Sequence, residues 1–140
     1  MMIKKEEIGE HLKQCGVKPS YQRMRIFEYL VNNRVHPTVD VIYKSLLPEI
    51  PTLSKTTVYN TLNLFIEKKL VNTIVIEENE VRYDIDTTLH GHFKCDVCNA
   101  IYDFSVDPSY LEQDYLRSFN ISEQHIYLKG ACKSCTPSHV

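Results

Sequence analysis

Two pairs of cysteines constrain the fold of this chain more than any other feature of its sequence. Cys95 and Cys98 form one Cys-x2-Cys turn, and Cys132 and Cys135 form a second. Each turn presents two sulfurs that can bind the same ion, and two turns complete the tetrahedral set of four thiolates that structural Zn²⁺ prefers. The 33 residues between the pairs would then form a subdomain whose two ends are joined by the metal.

A disulfide framework and a thioredoxin-like redox pair explain these cysteines less well. A fifth cysteine, Cys15, makes their number odd, and the N-terminal segment MMIKKEEIGE is charged where a secretory signal would be apolar. A redox motif needs one Cys-x2-Cys and gives no reason for a second. No apolar run approaches the length of a membrane span, so we expect a cytoplasmic protein without a membrane partner.

The two halves of the sequence carry opposite charge. Residues 1–72 contain 11 Lys and Arg against 7 Asp and Glu, a net charge of +4, whereas residues 73–140 contain 5 against 11, a net charge of −6. This asymmetry suggests a basic module that faces an anion and an acidic module with another role. Charge alone leaves open that both are ordinary solvated surfaces.

Apolar periodicity in the first half predicts four helices followed by a β-hairpin. Ser20 and Ser54 are good N-caps for the second and fourth helices, and Pro37-Thr38 opens the third. The β-branched runs at 71–76 and 81–85 flank a four-residue loop and read as two paired strands. Helices followed by such a hairpin predict a winged helix-turn-helix domain. The apolar stripes consist of Ile8, Leu12 and Cys15; Met24, Phe27, Leu30 and Val31; Val39, Ile42, Tyr43 and Leu46; and Val58, Leu62, Phe65 and Ile66.

The polar face of the fourth helix has the composition of a DNA-reading surface. It carries one cation, small hydroxyls, amides and a phenol, which suit phosphates, base edges and the thymine methyl group. An ordinary solvated face more often carries several Glu and Lys, so we predict that this helix binds DNA. The residues of this face are Lys55, Thr56, Tyr59, Asn60 and Asn63.

A second group of potential metal ligands lies between the hairpin and the first cysteine pair. His90 and His92 alternate along an extended segment, so their imidazoles share one side of it. The carboxylates of Asp84 and Asp103 are close in sequence. Imidazole and carboxylate without thiolate form a harder ligand set than the cysteines, and they suit Fe²⁺, Mn²⁺ or Zn²⁺. We therefore predict a second metal site.

The C-terminal half predicts a small mixed sheet. Strands are expected near 93–94, 100–104 and 122–129, with a helix near 108–118. A small sheet has exposed edges, and the segment Gln124–Leu128 has no Pro to block pairing with another strand. These features predict an α+β protein that forms a homodimer.

Taken together, the motifs resemble the ferric uptake regulator family of metal-dependent bacterial repressors over essentially the whole chain. The resemblance implies a winged-helix DNA-binding domain at 1–83, a hinge with metal ligands at 84–92, and a dimerisation domain with structural zinc at 93–140. The matching segments are Gln22-Arg23, Ser54–Leu62, Arg82-Tyr83-Asp84, His90–Cys98 and Gly130–Cys135.

The resemblance also implies a regulatory Fe²⁺ or Mn²⁺ site. It adds His36, which the spacing argument does not find, to Asp84, His90, His92 and Asp103. With aspartate at position 103, the chain resembles the peroxide-responsive branch of the family, whose members carry aspartate there, whereas iron-uptake regulators tend to carry glutamate. The expected function is therefore a repressor that binds operator DNA and senses peroxide through oxidation of a ligand imidazole, with His36 and His90 as the candidates.

Two other functions remain as alternatives. The first is an iron- or zinc-responsive repressor of metal uptake genes that does not sense peroxide. The second is a hydrolytic enzyme, which we do not expect because five protein ligands crowd out a substrate and leave no general base nearby. His125 and Glu112 could belong to a further metal site that some family members have, although packing or surface roles are the simpler interpretation.

Overall fold

A computed structural model describes residues 3–77, 80–122 and 124–136, with the side chains of residues 76 and 77 left out of the description. The chain divides into two compact units, Met1–Thr87 and Thr88–Val140. The division falls inside the segment 84–92 that the family resemblance assigns to a hinge; that this segment bends stays a prediction. Within the described ranges, no helix has the length and apolar character needed to cross a membrane.

The described residues of the first unit form four α-helices. After a 3-10 turn at Lys5–Glu7 come α1 (Ile8–Gln14), α2 (Tyr21–Asn32), α3 (Val39–Leu46) and α4 (Lys55–Glu67). Three of them begin at a hydroxyl side chain that accepts a backbone N–H bond from the first turn. Ser20 accepts from Arg23, Thr38 from Val41 and Ser54 from Thr57. The N-caps predicted at Ser20 and Ser54 are thus present.

A β-hairpin completes this unit. Strand β1 (Asn72–Glu77) pairs antiparallel with β2 (Glu80–Asp84), and an isolated bridge joins Thr38 to Arg82 on the far edge of β2. The arrangement is the winged helix-turn-helix that the sequence predicted. The predicted loop includes residues 78 and 79, which lie outside the described residues.

The core of the first unit forms where the apolar stripes of the helices meet. The rings of Phe27 on α2 and Phe65 on α4 pack edge to face, 5.7 Å apart. Ile26 is fully buried although the predicted stripe omitted it, whereas the predicted Met24 and Val31 are only half-buried. The buried side of α2 is therefore centred on the adjacent pair Ile26-Phe27.

In the part of the second unit that the structure describes, three strands form a mixed sheet. The strands are β3 (His90–Cys95), β4 (Ile101–Ser105) and β5 (Tyr127–Gly130), in the order β4-β3-β5. Strand β3 pairs antiparallel with β4 and parallel with β5. This mixed sheet and the helices of the first unit make the chain an α+β protein, as predicted.

The extents predicted for one helix and one strand of this unit were wrong. The helix expected near 108–118 is a 3-10 turn at Pro108–Glu112 followed by one turn of α-helix, α5 (Asp114–Arg117). Gln113 separates them because its backbone is extended, with φ −61° and ψ 140°. The last strand begins at Tyr127, and the described residues before it, 122 and 124–126, are irregular.

Candidate metal centres

The two cysteine turns lie together because the strands before them are parallel neighbours. Strand β3 ends at Cys95, which is opposite Gly130 at the end of β5, two residues before Cys132. Parallel strands end at the same edge of a sheet, so both Cys-x2-Cys turns project from that edge. Backbone bonds within the turns, from Asn99 N–H to the Cys95 carbonyl and from Cys135 N–H to the Cys132 carbonyl, close each one.

The sulfur positions fit one tetrahedral zinc ion. The four Sγ atoms lie within 4.8 Å of one another, and the Cys98 and Cys132 sulfurs are 3.9 Å apart. Four sulfurs at the usual zinc–sulfur length would be separated by about 3.8 Å. A disulfide is excluded between this pair because its sulfurs would be at about 2 Å.

The electrostatics of the four-cysteine cluster favour a cation. The backbone N–H groups of Cys98, Cys132 and Val97 each lie 3.4 Å from the Cys95 sulfur. Bonds from the first two lower the pKa of Cys95 most, to about 6. The bonds that Cys135 makes with Cys132 and Cys95 instead raise the pKa of Cys135 to about 12. Negative charge is thus stabilised at one sulfur and opposed at another, a conflict that a bound divalent cation removes.

The first unit contributes His36 and Asp84, which lie close together in space although 48 positions apart. The loop that carries His36 is attached to β2 by the bond from Tyr83 N–H to the Pro37 carbonyl (2.9 Å). Arg82 Nη1 donates to the His36 carbonyl at 3.3 Å. Asp84 follows Tyr83 on β2, and its carboxylate therefore comes within 3.7 Å of His36 Nε2.

His36 also has an unusual backbone. Its φ is +56°, in the left-handed region that residues other than glycine seldom adopt, and its side chain is 8% exposed. Such conformations persist where surrounding contacts hold them, and they are concentrated at functional sites. His36 has no sequence signal of its own because it stands alone before a proline; backbone strain and burial are the signals that the fold adds.

The second unit places His90, His92 and Asp103 on one face of its sheet. His90 and His92 alternate along β3, and their ring centroids are 4.5 Å apart. Asp103 on β4 is opposite His92. Its carboxylate oxygens lie 3.4 Å from His92 Nε2 and 3.9 Å from His90 Nε2. His90 Nδ1 donates to the Thr88 carbonyl at 2.7 Å, which leaves Nε2 as the nitrogen able to bind a metal.

The opposite face of this sheet packs tightly at Gly91. Gly91 lies between the two histidines on β3, opposite Phe104 on β4. The Phe104 ring lies so close against Gly91 that a β-carbon at position 91 would collide with it. The ring covers the opposite side of the sheet from the histidines, so His90, His92 and Asp103 share the other side.

Both groups of His and Asp have donors that fit Fe²⁺ or Mn²⁺. Two ligand atoms at the usual metal–nitrogen or metal–oxygen length are separated by about 3–4 Å. The three separations, from 3.4 to 3.9 Å, fall in that range. Neither group includes a thiolate, so both are harder ligand sets than the cysteine cluster.

The predicted DNA-binding side chains are all exposed on α4. They are Lys55, Thr56, Tyr59 and Asn60, and the Tyr59 side chain is 52% exposed. Asn60 also lines a cleft between α4 and the start of α2, which includes the cations Lys18 and Arg23. This surface therefore presents amide, phenol and cationic groups together.

Within the described residues, the two candidates for a further metal site, His125 and Glu112, are not part of a three-ligand group. His125 Nδ1 lies 3.3 Å from the Tyr127 hydroxyl, and the Glu112 carbonyl accepts a bond from Arg117. Among the described residues, neither belongs to a group of three or more potential ligand side chains within 4.8 Å of one another.

Comparisons with known proteins agree on one family. The sequence profile of the ferric uptake regulator family matches residues 14–129. The peroxide operon regulator of Bacillus subtilis is 37% identical over 134 residues, which cover 94% of this chain and 92% of that protein. The peroxide-responsive repressor PerR of Staphylococcus aureus is 33% identical and covers 93% and 90%.

Solved structures show the same fold. The match to the ferric uptake regulator of Helicobacter pylori covers 99% of this chain and 97% of that protein's chain, with a TM-score of 0.75 and 22% identity. The peroxide stress regulator of Campylobacter jejuni covers 96% and 100%, with a TM-score of 0.67 and 26% identity. PerR from Streptococcus pyogenes covers 96% and 95%, with a TM-score of 0.54 and 25% identity.

Proposed function

Because this chain belongs to the ferric uptake regulator family, we propose that it is a metal-dependent transcriptional repressor that binds operator DNA as a homodimer and senses peroxide. The observation that carries the peroxide assignment is Asp103. It is an aspartate opposite His92 in the sheet, 43% exposed, with its carboxylate directed at both histidines. Relatives at 37% and 33% identity are peroxide regulators.

The regulatory ion would be held by donors from both units. His36 and Asp84 belong to the first unit, and His90, His92 and Asp103 belong to the second. An ion that needs all five selects the arrangement of the units in which they can bind it together. Metal affinity thereby biases the spacing of the two α4 helices in a dimer, and successive major grooves of a palindromic operator require one particular spacing.

The homodimer would be formed by the second unit. Several large apolar side chains there are exposed, including Phe119 (51%), Ile121 (42%) and Leu128 on the edge strand β5 (52%). Pairing with a second copy would cover this apolar surface and the sheet edge. The four-cysteine cluster would hold structural Zn²⁺ at the end of the same sheet.

Peroxide sensing would be a stoichiometric modification. When bound, Fe²⁺ supplies the reducing chemistry that turns peroxide into a local oxidant. Overall, an imidazole of His36 or His90 gains one oxygen atom from the peroxide, and the other oxygen leaves as water. The modified ring is a poorer ligand, so the two units separate from the ion and the operator is released.

The test is to load the protein anaerobically with Fe²⁺ or Mn²⁺ and to treat it with peroxide at low concentration. We expect operator release and a one-oxygen adduct on His36 or His90 in the iron form, measured by gel shift and peptide mass spectrometry. The manganese form is the matched control and should keep both its operator and its mass. Retention of the operator by the iron form without histidine oxidation would favour the alternative, an iron-responsive repressor.

A further inference from the structure

An ion-pair cluster joins the start of α3 to the start of α4. Asp40 Oδ1 lies 2.7 Å from Lys55 Nζ, at the first residue of α4, and Asp40 Oδ2 lies 3.0 Å from Lys44 Nζ, one turn along α3. The Lys55 ammonium also lies 5.7 Å from the centre of the Tyr43 ring. One carboxylate and one aromatic face therefore lie beside the cation at the head of the proposed DNA-reading helix.

The pair remains ionised at neutral pH. The hydrogen bond from Lys55, followed by that from Lys44, lowers the pKa of Asp40. The bond to Asp40 likewise raises the pKa of Lys55. All three charged groups are at least 46% exposed, so DNA can reach them.

The Asp40 carboxylate accepts from the two ammonium groups, and a DNA phosphate would compete with it for them. Binding to random DNA depends almost entirely on contacts between cations and phosphates. Turning Lys44 and Lys55 fully towards phosphates would break their short contacts with Asp40, so Asp40 would weaken this mode of binding. In an operator complex, base contacts from residues such as Tyr59 and Asn60 would supply part of the affinity and set the register, so Lys55 could keep Asp40 on one N–H donor and face the DNA with the other two.

We propose that Asp40 is a specificity-determining residue of the DNA-binding surface, which weakens binding to random DNA more than binding to the operator. This inference rests on the proposed function, since it concerns the same DNA surface. It implies that Lys55 contacts the DNA in a position set by Asp40, whereas its residue type alone suggests a general contact with phosphates. The carboxylate acts through the two lysines and does not itself contact the DNA.

The experiment compares Asp40→Asn with Glu10→Gln, an exposed carboxylate on α1 whose removal changes the net charge equally. Two fluorescent duplexes of about 30 base pairs, roughly three helical turns, serve as probes. One has mixed sequence, and the other is selected from a random pool by the manganese-loaded wild-type protein. Zinc content and circular dichroism of each variant establish that it is folded.

We expect Asp40→Asn to bind the mixed duplex about three- to tenfold more tightly, with a salt dependence steeper by about one phosphate contact. Its affinity for the selected duplex should change by less than about twofold, so the ratio of specific to random binding falls. In a Lys55→Gln background, most of the gain from Asp40→Asn should disappear, because the carboxylate acts through that lysine.

Three results would overturn the inference. They are a gain with Glu10→Gln as large as that with Asp40→Asn, equal gains on both duplexes, and a full gain in the Lys55→Gln background. A wild-type protein without metal-dependent binding to the selected duplex would contradict the proposed function instead. The comparison on the mixed duplex, read separately, would then still decide whether Asp40 restrains the two lysines.

Discussion

Asp103 is the residue on which the peroxide assignment depends most. Its side chain reaches His92 and His90 across the sheet from a position fixed by the β3–β4 register. Glutamate is one methylene longer and can still reach an ion, but with another approach or denticity. We expect Asp103→Glu to keep metal-dependent DNA binding and to lose most of the peroxide response. Oxidation would need a reactive open coordination position on the iron, whereas bringing the two units to the ion would need only that every ligand binds.

The measurement is operator binding by the Fe²⁺ and Mn²⁺ forms of Asp103→Glu and wild type over a range of peroxide concentrations. Metal content is determined in parallel, so that weaker loading is not mistaken for resistance to peroxide. If Asp103→Glu and wild type release the operator at the same peroxide concentration, the choice of carboxylate does not set the sensitivity. The assignment to the peroxide branch would then lose its main support.

The candidate ligands differ in how far the sequence predicts them. The alternation of His90 and His92 and the nearby Asp84 and Asp103 form a recognisable set of potential metal ligands. His36 does not, because its relation to Asp84 depends on a loop attached to β2 through backbone bonds between distant residues. Tertiary contacts of this kind leave no periodic trace in a sequence, and only the family resemblance pointed to His36.

At the scale of elements, α4 is where DNA recognition is expected. Tyr59 and Asn60 are exposed on it, while Val58, Leu62 and Phe65 on its other side are buried. We expect Tyr59→Ala and Asn60→Ala each to weaken binding to the operator by about ten- to a hundredfold, as the loss of a base contact does. Both changes remove exposed atoms, so zinc content and dimer mass should stay as in wild type.

Fluorescence titration with a selected duplex measures this effect, and Gln14→Ala, an exposed amide at the end of α1, is the matched control. Random DNA should be bound nearly as well as by wild type, since neither side chain is a cation. Wild-type operator affinity in both Tyr59→Ala and Asn60→Ala would place the reading surface on another element.

The elements were predicted best where short-range chemistry determines them. Ser20 and Ser54 cap their helices as expected, and the hairpin lies within about one residue of the predicted runs. The segment 108–118 was predicted poorly, because an extended Gln113 interrupts what composition suggests is one helix. Nothing in its side chain signals that break, and a short segment has little periodicity from which to infer one.

At the scale of the whole molecule, the two units differ in composition and proposed role but little in net charge. The helical unit, residues 1–87, contains 12 Lys and Arg against 12 Asp and Glu, and the sheet unit contains 4 against 6, so the basic surplus of residues 1–72 is offset by acidic residues later in the same unit. The cores of the two units differ more. The main buried apolar cluster draws on residues up to Ile85 only, whereas the described buried apolar side chains of the second unit are Cys95 and Cys132. The second unit therefore depends on something other than a large apolar core.

Structural zinc is the candidate for that stabilising role. A small domain with few buried apolar side chains needs a metal, disulfides or a partner chain to stay folded. Serine does not ionise at neutral pH and binds zinc poorly, so Cys95→Ser leaves three thiolates and removes the one whose pKa the backbone lowers to about 6. We expect this variant to lose zinc and, with it, the folded sheet and the dimer, since metal binding free energy is folding free energy here.

Zinc content by atomic emission and mass by light scattering measure both losses in one sample. Cys15→Ser is the matched control, because Cys15 packs against the helical core in the other unit, and it should keep one zinc per chain and the dimer. The first unit should stay helical in both variants, since its core contains neither cysteine pair. A zinc-free Cys95→Ser protein that remains dimeric would show that apolar contacts between copies hold the sheet together. Dimerisation would then not require the four-cysteine cluster.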